Sequence, residues 1–260
     1  MLEDDFTYVL RKALLGHGLA PAQLAAKAGV PENEVLAFLR GLFSADLASS
    51  MAPVLGLNAA AFAAHAGYLP KTRRLPGIRR LDLPFGDERV NAWVVSQGGQ
   101  VVLFDAGFIA EDLFAELGAR LPDRVLITHA HRDHVGGLEK LLESDVPAHA
   151  AGITGTLPMS AGDSVRVGSL EISAIDLSGH ASPALGFVIR GLETPVMVVG
   201  DALFAGSIGG CGSPEIYQTA LRNLGAALAD LTDETILLPG HGPATTLGEE
   251  RVSNPFIAGH

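Results

Sequence analysis

The run His129-Ala130-His131-Arg132-Asp133-His134 places three imidazoles and one carboxylate within six residues. Imidazole nitrogen and carboxylate oxygen are ligands suited to zinc and similar divalent metals. The run follows the apolar segment Arg124-Val125-Leu126-Ile127-Thr128, and no packing role calls for four such groups at the exposed end of a buried strand. A metal site accounts for all of them. Further ligand-type residues recur in the same local setting: His180 follows 170–177 and a Ser178-Gly179 turn, Asp201 follows 195–200, and His241 follows 235–240. Each preceding run is short, β-rich and bounded by Gly or Pro, the pattern of a buried strand. Each candidate ligand is therefore expected just past the C-terminal end of a strand, where side chains from distant sequence can converge.

The order His-x-His-x-Asp-His, then a single His, an Asp and a His, resembles the metallo-β-lactamase superfamily over about residues 81–260. The resemblance implies an α/β fold, an αββα sandwich of two mixed sheets with helices on the outer faces and metals at one edge. It implies two divalent cations, zinc foremost and iron or manganese as alternatives, because His/Asp sites discriminate poorly among them. His129, His131 and His180 would hold one, Asp133, His134 and His241 the other, and Asp201 would bridge. Two cations about 3.5–4 Å apart can hold a hydroxide at neutral pH and polarise a carbonyl. Hydrolysis then needs no side-chain nucleophile, and no Gly-x-Ser-x-Gly elbow is present. Asp133 becomes both a ligand and the acceptor for the nucleophile's proton. Asp105, which heads an Asp-Ala-Gly loop, is expected to orient the metal-binding loop. Phe108, Cys211 and Tyr217 are expected to line the substrate pocket.

Within the superfamily, the segments Gly200-Asp201-Ala202-Leu203-Phe204-Ala205-Gly206-Ser207 and Leu238-Pro239-Gly240-His241-Gly242-Pro243 resemble the glyoxalase-II-like branch. That branch implies hydrolysis of a small thioester such as an S-2-hydroxyacylglutathione. Two departures bear on glutathione itself. Gly210-Cys211-Gly212-Ser213 stands where many relatives carry an Arg-Thr-Asp-type segment, and Ala181-Ser182-Pro183-Ala184 replaces the commoner Thr-Pro-Gly. A lactonase or an iron persulfide dioxygenase would show the same histidines, and these are the alternative chemistries.

Upstream, apolar spacing predicts helices over about 7–15, 22–28, 32–41, 45–55 and 59–65, with Gly29-Val30-Pro31 as a tight turn. This stretch resembles the Cro/C1-type helix-turn-helix family, an arrangement that would suit a ligand-sensing transcriptional regulator. The recognition-helix position, however, carries Glu32, Asn33 and Glu34. DNA-binding proteins draw most of their affinity from Lys and Arg at phosphates, so no DNA-binding residue is assigned and nucleic acid is not an expected partner. The domain reading is a small all-α unit at 1–67, a basic linker at 68–80 and a hydrolase domain at 81–260. The linker includes Lys71, Arg73, Arg74, Arg79 and Arg80. The helical unit, near the size at which isolated domains become marginal, is expected to pack on a second copy, as a homodimer, or on its own hydrolase domain.

Composition fits such an enzyme. A 48% hydrophobic content supports a large core, and the net charge of −11 disfavours polyanionic partners. No apolar run is long enough for a membrane span. The acidic start, Met1-Leu2-Glu3-Asp4-Asp5, lacks the form of an export signal, and Cys211 is the single cysteine. The expected location is the cytoplasm.

Overall fold

The computed structural model describes residues 1–71 and 75–258. Two six-stranded sheets form its centre. In the first, β1 (Ile78–Phe85), β2 (Glu88–Gln97), β3 (Gln100–Phe104), β4 (Arg124–Leu126), β5 (Ala148–Ala150) and β6 (Leu157–Pro158) lie in chain order. The β1–β3 pairings are antiparallel and the β3–β6 pairings parallel. In the second, β7 (Ser164–Val167), β8 (Leu170–Asp176), β9 (Leu185–Arg190), β10 (Val196–Gly200), β13 (Ile236–Pro239) and β14 (Thr245–Thr246) run in the order β14-β13-β10-β9-β8-β7. Between β10 and β13 the chain makes a separate hairpin, β11 (Leu203–Phe204) and β12 (Ser207–Ile208).

The period-2 alternation of strands divides the core into layers. Trp93, Val95, Val102 and Phe104 of the first sheet face Phe187, Ile189, Val196, Val198, Ile236 and Leu238 of the second. Their neighbours Ala92, Val94, Val101 and Leu103 turn outward onto Leu113 and Leu117 of α6 (Ala110–Leu117) and Leu138 and Leu141 of α8 (Leu138–Glu143). On the far side, Val188, Met197, Val199 and Leu237 turn outward onto Tyr217, Leu224 and Leu228 of α9 (Pro214–Leu228). The architecture is therefore αββα.

The chain begins with α1 (Phe6–Gly16), α2 (Pro21–Ala28), α3 (Glu32–Leu39), α4 (Ala45–Met51) and α5 (Ala59–Ala64). Asp5 caps α1 by accepting from the Thr7 and Tyr8 amides at 2.7 and 3.3 Å. Gly29, at φ +69°, makes the turn between α2 and α3. Phe38 packs edge-on against Phe6 and Phe62, with ring centroids 4.8 and 5.6 Å apart. Glu32, Asn33 and Glu34 are exposed. This helical region is not separate from the sandwich. Val9, Leu10, Leu24, Phe38 and Phe62 belong to the same apolar cluster as Met197, Val199 and Leu237. The two regions meet closely at Gly16, where a Cβ would lie 2.4 Å from the Tyr217 ring.

Three expectations need correction. Tyr217 is 2% exposed, packed into the core between His17 of the helical region and Phe256. Cys211 is buried in the same cluster, its thiol pKa pushed up by burial. The stretch taken as linker ends early: Arg79 and Arg80 pair with Val94 and Trp93 because β1 starts at Ile78. Arg73, Arg74 and His260 lie outside the described residues. Among the described residues no helix is long and apolar enough to cross a membrane.

Candidate metal centre

The strand ends deliver the seven residues to one place. Past β4, Thr128 and His129 lead into α7 (Arg132–Val135), a single helical turn that carries Asp133 and His134. His180 stands on the loop after β8, Asp201 directly after β10, and His241 two residues past β13. Strands β10 and β13 are parallel neighbours, so their ends are level. Gly240 donates its amide to the Gly200 carbonyl at 2.9 Å. A Cβ on Gly240 would fall 2.0 Å from Asp201 Oδ1 and 2.6 Å from His134 Cε1, so only glycine allows that approach.

Each histidine is oriented from behind. His134 Nδ1 donates to Asp105 Oδ2 at 2.8 Å, His180 Nδ1 to the Gly210 carbonyl at 2.8 Å, and His241 Nδ1 to the Arg89 carbonyl at 2.7 Å. All three are left with Nε2 toward the centre. His129 Nδ1 lies 3.0 Å from Thr128 Oγ1, a hydroxyl also held by Asp105. His131 differs in presenting Nδ1, 3.1 Å from His180 Nε2.

Asp201 sits between the groups. Its Oδ1 is 3.3 Å from His134 Nε2, and its Oδ2 is 3.5 Å from both His180 Nε2 and His241 Nε2. Asp133 Oδ2 is 3.2 Å from His241 Nε2 and 3.6 Å from His134 Nε2. Three overlapping triads result: His129–His131–His180, His129–His134–Asp201 and Asp133–His134–His241. Metal bonds of about 2.0–2.1 Å place tetrahedral ligand atoms roughly 3.3–3.4 Å apart, close to these separations. His129 Nε2, His134 Nε2 and Asp201 Oδ1 are also buried without a hydrogen-bond partner. Unsatisfied buried polar atoms are costly, and cations held at this cluster would satisfy all three. The donor set fits a divalent metal.

The electrostatics agree. Burial opposes charge on both His134 and His241. Yet the Asp201 and Asp105 charges hold His134 well above the usual imidazole range, and hydrogen bonds to Asp133 and Asp201 push His241 up to about 10. Burial, reinforced by the His134 charge, drives His129 down to about 2. Against its own burial, Asp201 is held well below the carboxylate range by His134 and His241. The cluster thus draws positive charge onto itself.

At the rim, His131 and Arg132 are exposed. The Arg132 guanidinium lies 4.9 Å over the Phe108 ring, and Phe108 packs on Phe85, whose ring is 6.5 Å from that of His241. Phe108 therefore stands beside the centre, whereas Tyr217 and Cys211 do not line it.

Several supporting residues were not assigned from sequence. Asn91 Nδ2 donates to the Pro239 and Gly242 carbonyls at 2.9 and 2.8 Å, and Trp93 Nε1 donates to Pro239 at 2.8 Å. Together they fix the His241 loop. His65 is 1% exposed and holds the Gly206 carbonyl at 3.0 Å. Alternating strand hydrophobicity gave no sign that these side chains would reach loops so distant in sequence.

The metallo-beta-lactamase superfamily model matches residues 85–241, and the chain belongs to that superfamily. A Haemophilus influenzae protein named hydroxyacylglutathione hydrolase GloC is 29% identical over 198 residues, 66% of this chain and 89% of that one. The crystal structure of the BLEG-1 B3 metallo-beta-lactamase superposes with a TM-score of 0.59 at 27% identity, covering 70% of this chain and all of that chain. The structure of TTHA1623 in a di-iron-bound form gives 0.54 at 29% identity, covering 67% and 98%. About a third of this chain thus lies outside each of these alignments.

Proposed function

We propose that this superfamily hydrolase cleaves a small thioester at a dinuclear metal centre. His129, His131 and His180 would hold one cation, Asp133, His134 and His241 the other, with Asp201 shared. The observation that carries the reading is the Asp201 carboxylate, with one oxygen toward His134 and the other toward His180 and His241. When bound, the cations supply Lewis acidity and make water a nucleophile near neutral pH.

The chain's own residues supply the rest. Asp133, held below the carboxylate range chiefly by its His241 bond against the effect of burial, is ionised and placed to accept the proton of the attacking water. The backside bonds of His134, His180 and His241 fix their tautomers so that no ligand must reorganise. Phe108 and Phe85 give an apolar wall beside His241, and Arg132 gives a cationic edge for a substrate carboxylate. The thioester class is supported by the named Haemophilus relative and by the motif around Asp201 and His241. The di-iron relative supports iron as well as zinc as the resident metal.

The test is metal analysis of protein purified without added metal, followed by a panel of S-lactoylglutathione, simple acyl thioesters, a lactone and a persulfide. Turnover of a thioester that disappears on chelation is the expected result. Fully metallated protein that leaves every thioester untouched would refute the substrate class.

A further inference from the structure

The hairpin β11–β12 follows Asp201 immediately and leads into the glycines behind His180. It touches both ligand sets. The Phe204 ring stands edge-on to His241, centroids 5.8 Å apart at 90°. At its other end, Gly209 lies so close to the centre that a Cβ there would be 1.9 Å from the Asp201 carbonyl and 2.8 Å from His180 Cβ. The next carbonyl, that of Gly210, receives the His180 Nδ1–H. A shift of this hairpin would therefore move His180 and His241 together.

Glu250 and Asn254 hold the hairpin from the C-terminal side, through the Gly206 amide and the Ser207 carbonyl, and the first helix holds its other face. Lys12, on α1, donates from Nζ to the Ile208 carbonyl at 2.8 Å, and the same ammonium lies 5.1 Å from the centroid of the Phe204 ring. Its counter-ion is Asp4, and the two side chains are 16% and 6% exposed. A mostly buried ammonium is costly unless it is paired and hydrogen-bonded. This one spends its bonds on the hairpin and on Asp4, and its stem passes 3.9 Å from the Cβ position of Gly210. His65 adds a second tie, to Gly206 at the turn. The matched superfamily region begins at residue 85, so neither tie belongs to it.

We propose that Lys12 is a positioning residue of the metal centre, and that the N-terminal helices complete that centre by clamping the 203–210 hairpin. The inference rests on the metal reading above but not on the substrate. Docking alone would be served by the apolar cluster around Tyr217. Lys12 instead reaches a segment that touches a ligand from each set.

The experiment is a cobalt(II) titration of the full-length, metal-stripped chain, followed by visible absorption. Asp4→Asn/Lys12→Met removes the buried pair together, so that no charge is left alone. Lys12→Gln, which keeps a donor but leaves the Asp4 charge without its counter-ion, is the second variant. Leu24→Ala, on α2, which packs on α3 and α4, is the control for a general loss of stability. Circular dichroism and the melting temperature establish that each is folded. The Lys12 variants should bind cobalt about tenfold or more weakly, the scale of losses when a ligand's outer support is removed, with an altered absorption band. Leu24→Ala should lower the melting temperature and leave the cobalt affinity unchanged. Wild-type affinity in folded Lys12 variants overturns the proposal, as does an equal weakening in Leu24→Ala. Wild-type protein that binds no cobalt removes the metal reading and this proposal together. Cobalt binding without thioester turnover removes the substrate class alone.

Discussion

His134 Nδ1 donates to Asp105 Oδ2 at 2.8 Å, while the other oxygen of the same carboxylate accepts from the Thr128 amide at 2.8 Å. One side chain, at the end of β3, thus sets the ring of a central histidine and the start of the loop that bears His129. Asp105 does so from φ +61°, a left-handed backbone that few residues other than Gly, Asn and Asp accept. Asp105→Asn keeps that backbone but cannot satisfy both donors as a carboxylate does. Metal affinity should fall by about 10- to 100-fold, and the metal-free protein should melt lower as well, because a buried donor loses its acceptor. Asp105→Ala should add backbone strain of about 1–3 kcal/mol. Chelator competition and melting of both variants check this; unchanged affinity in Asp105→Asn would refute it.

Gly240→Ala is the smallest change that should empty the centre. The added methyl would meet Asp201 Oδ1 at 2.0 Å and the His134 ring at 2.6 Å, neither of which is a flexible chain end. The shared carboxylate must rotate away, so both cations should be lost together and turnover with them. Elemental analysis of the purified variant should show well under one metal per chain. Two metals at wild-type affinity would show that Asp201 is not the shared ligand.

The clustering of the seven candidate ligands was legible because its signals are local. Six contiguous residues carry four of the seven, and the other three each directly follow a glycine after a strand-like run. The layers of the sandwich were legible for a similar reason, since alternation along β2, β3, β10 and β13 assigns each side chain to a face. Lys12 and His65 were not legible. Their partners, Ile208 and Gly206, are far away in sequence and are backbone carbonyls, which carry no side-chain signature. Tyr217 failed for a related reason: an aromatic near the start of α9 suits a pocket wall or a core equally. Only the arrival of Gly16 against its ring decides between them.

That junction sets a stability prediction. Tyr217 fills the space between Gly16, His17 and Phe256, joining the N-terminal helices to the second sheet. Tyr217→Ala should cost about 3–5 kcal/mol, as large aromatic truncations in cores do. Because one apolar cluster spans both regions, unfolding should remain a single transition in wild-type protein, by circular dichroism and by tryptophan fluorescence of Trp93. Gly16→Val should destabilise through the same contact. Two separate wild-type transitions, with the helices melting first, would contradict the shared core.

Glu250 provides the pH test. It is fully buried, and its carboxylate accepts from Tyr68 Oη at 2.6 Å, Thr245 Oγ1 and the Gly206 amide at 2.8 Å, and Asn254 Nδ2 at 2.9 Å. Burial raises its pKa above the ordinary 4.5 despite these donors. The folded protein therefore holds this proton more tightly than the unfolded chain does. The stabilisation linked to the proton is complete below about 4.5 and is lost as pH rises through the raised folded value. Glu250→Gln cannot titrate, so it removes that dependence. The melting temperature of wild type minus that of Glu250→Gln, in metal-free protein, should be largest below about pH 4.5 and shrink as pH rises through the raised folded value. The same variant turns an amide group toward the donors of Tyr68 and Gly206, so it should be the less stable protein at the acid end. A difference that widens with rising pH would mean that the four donors outweigh burial and hold Glu250 as an ordinary ionised carboxylate.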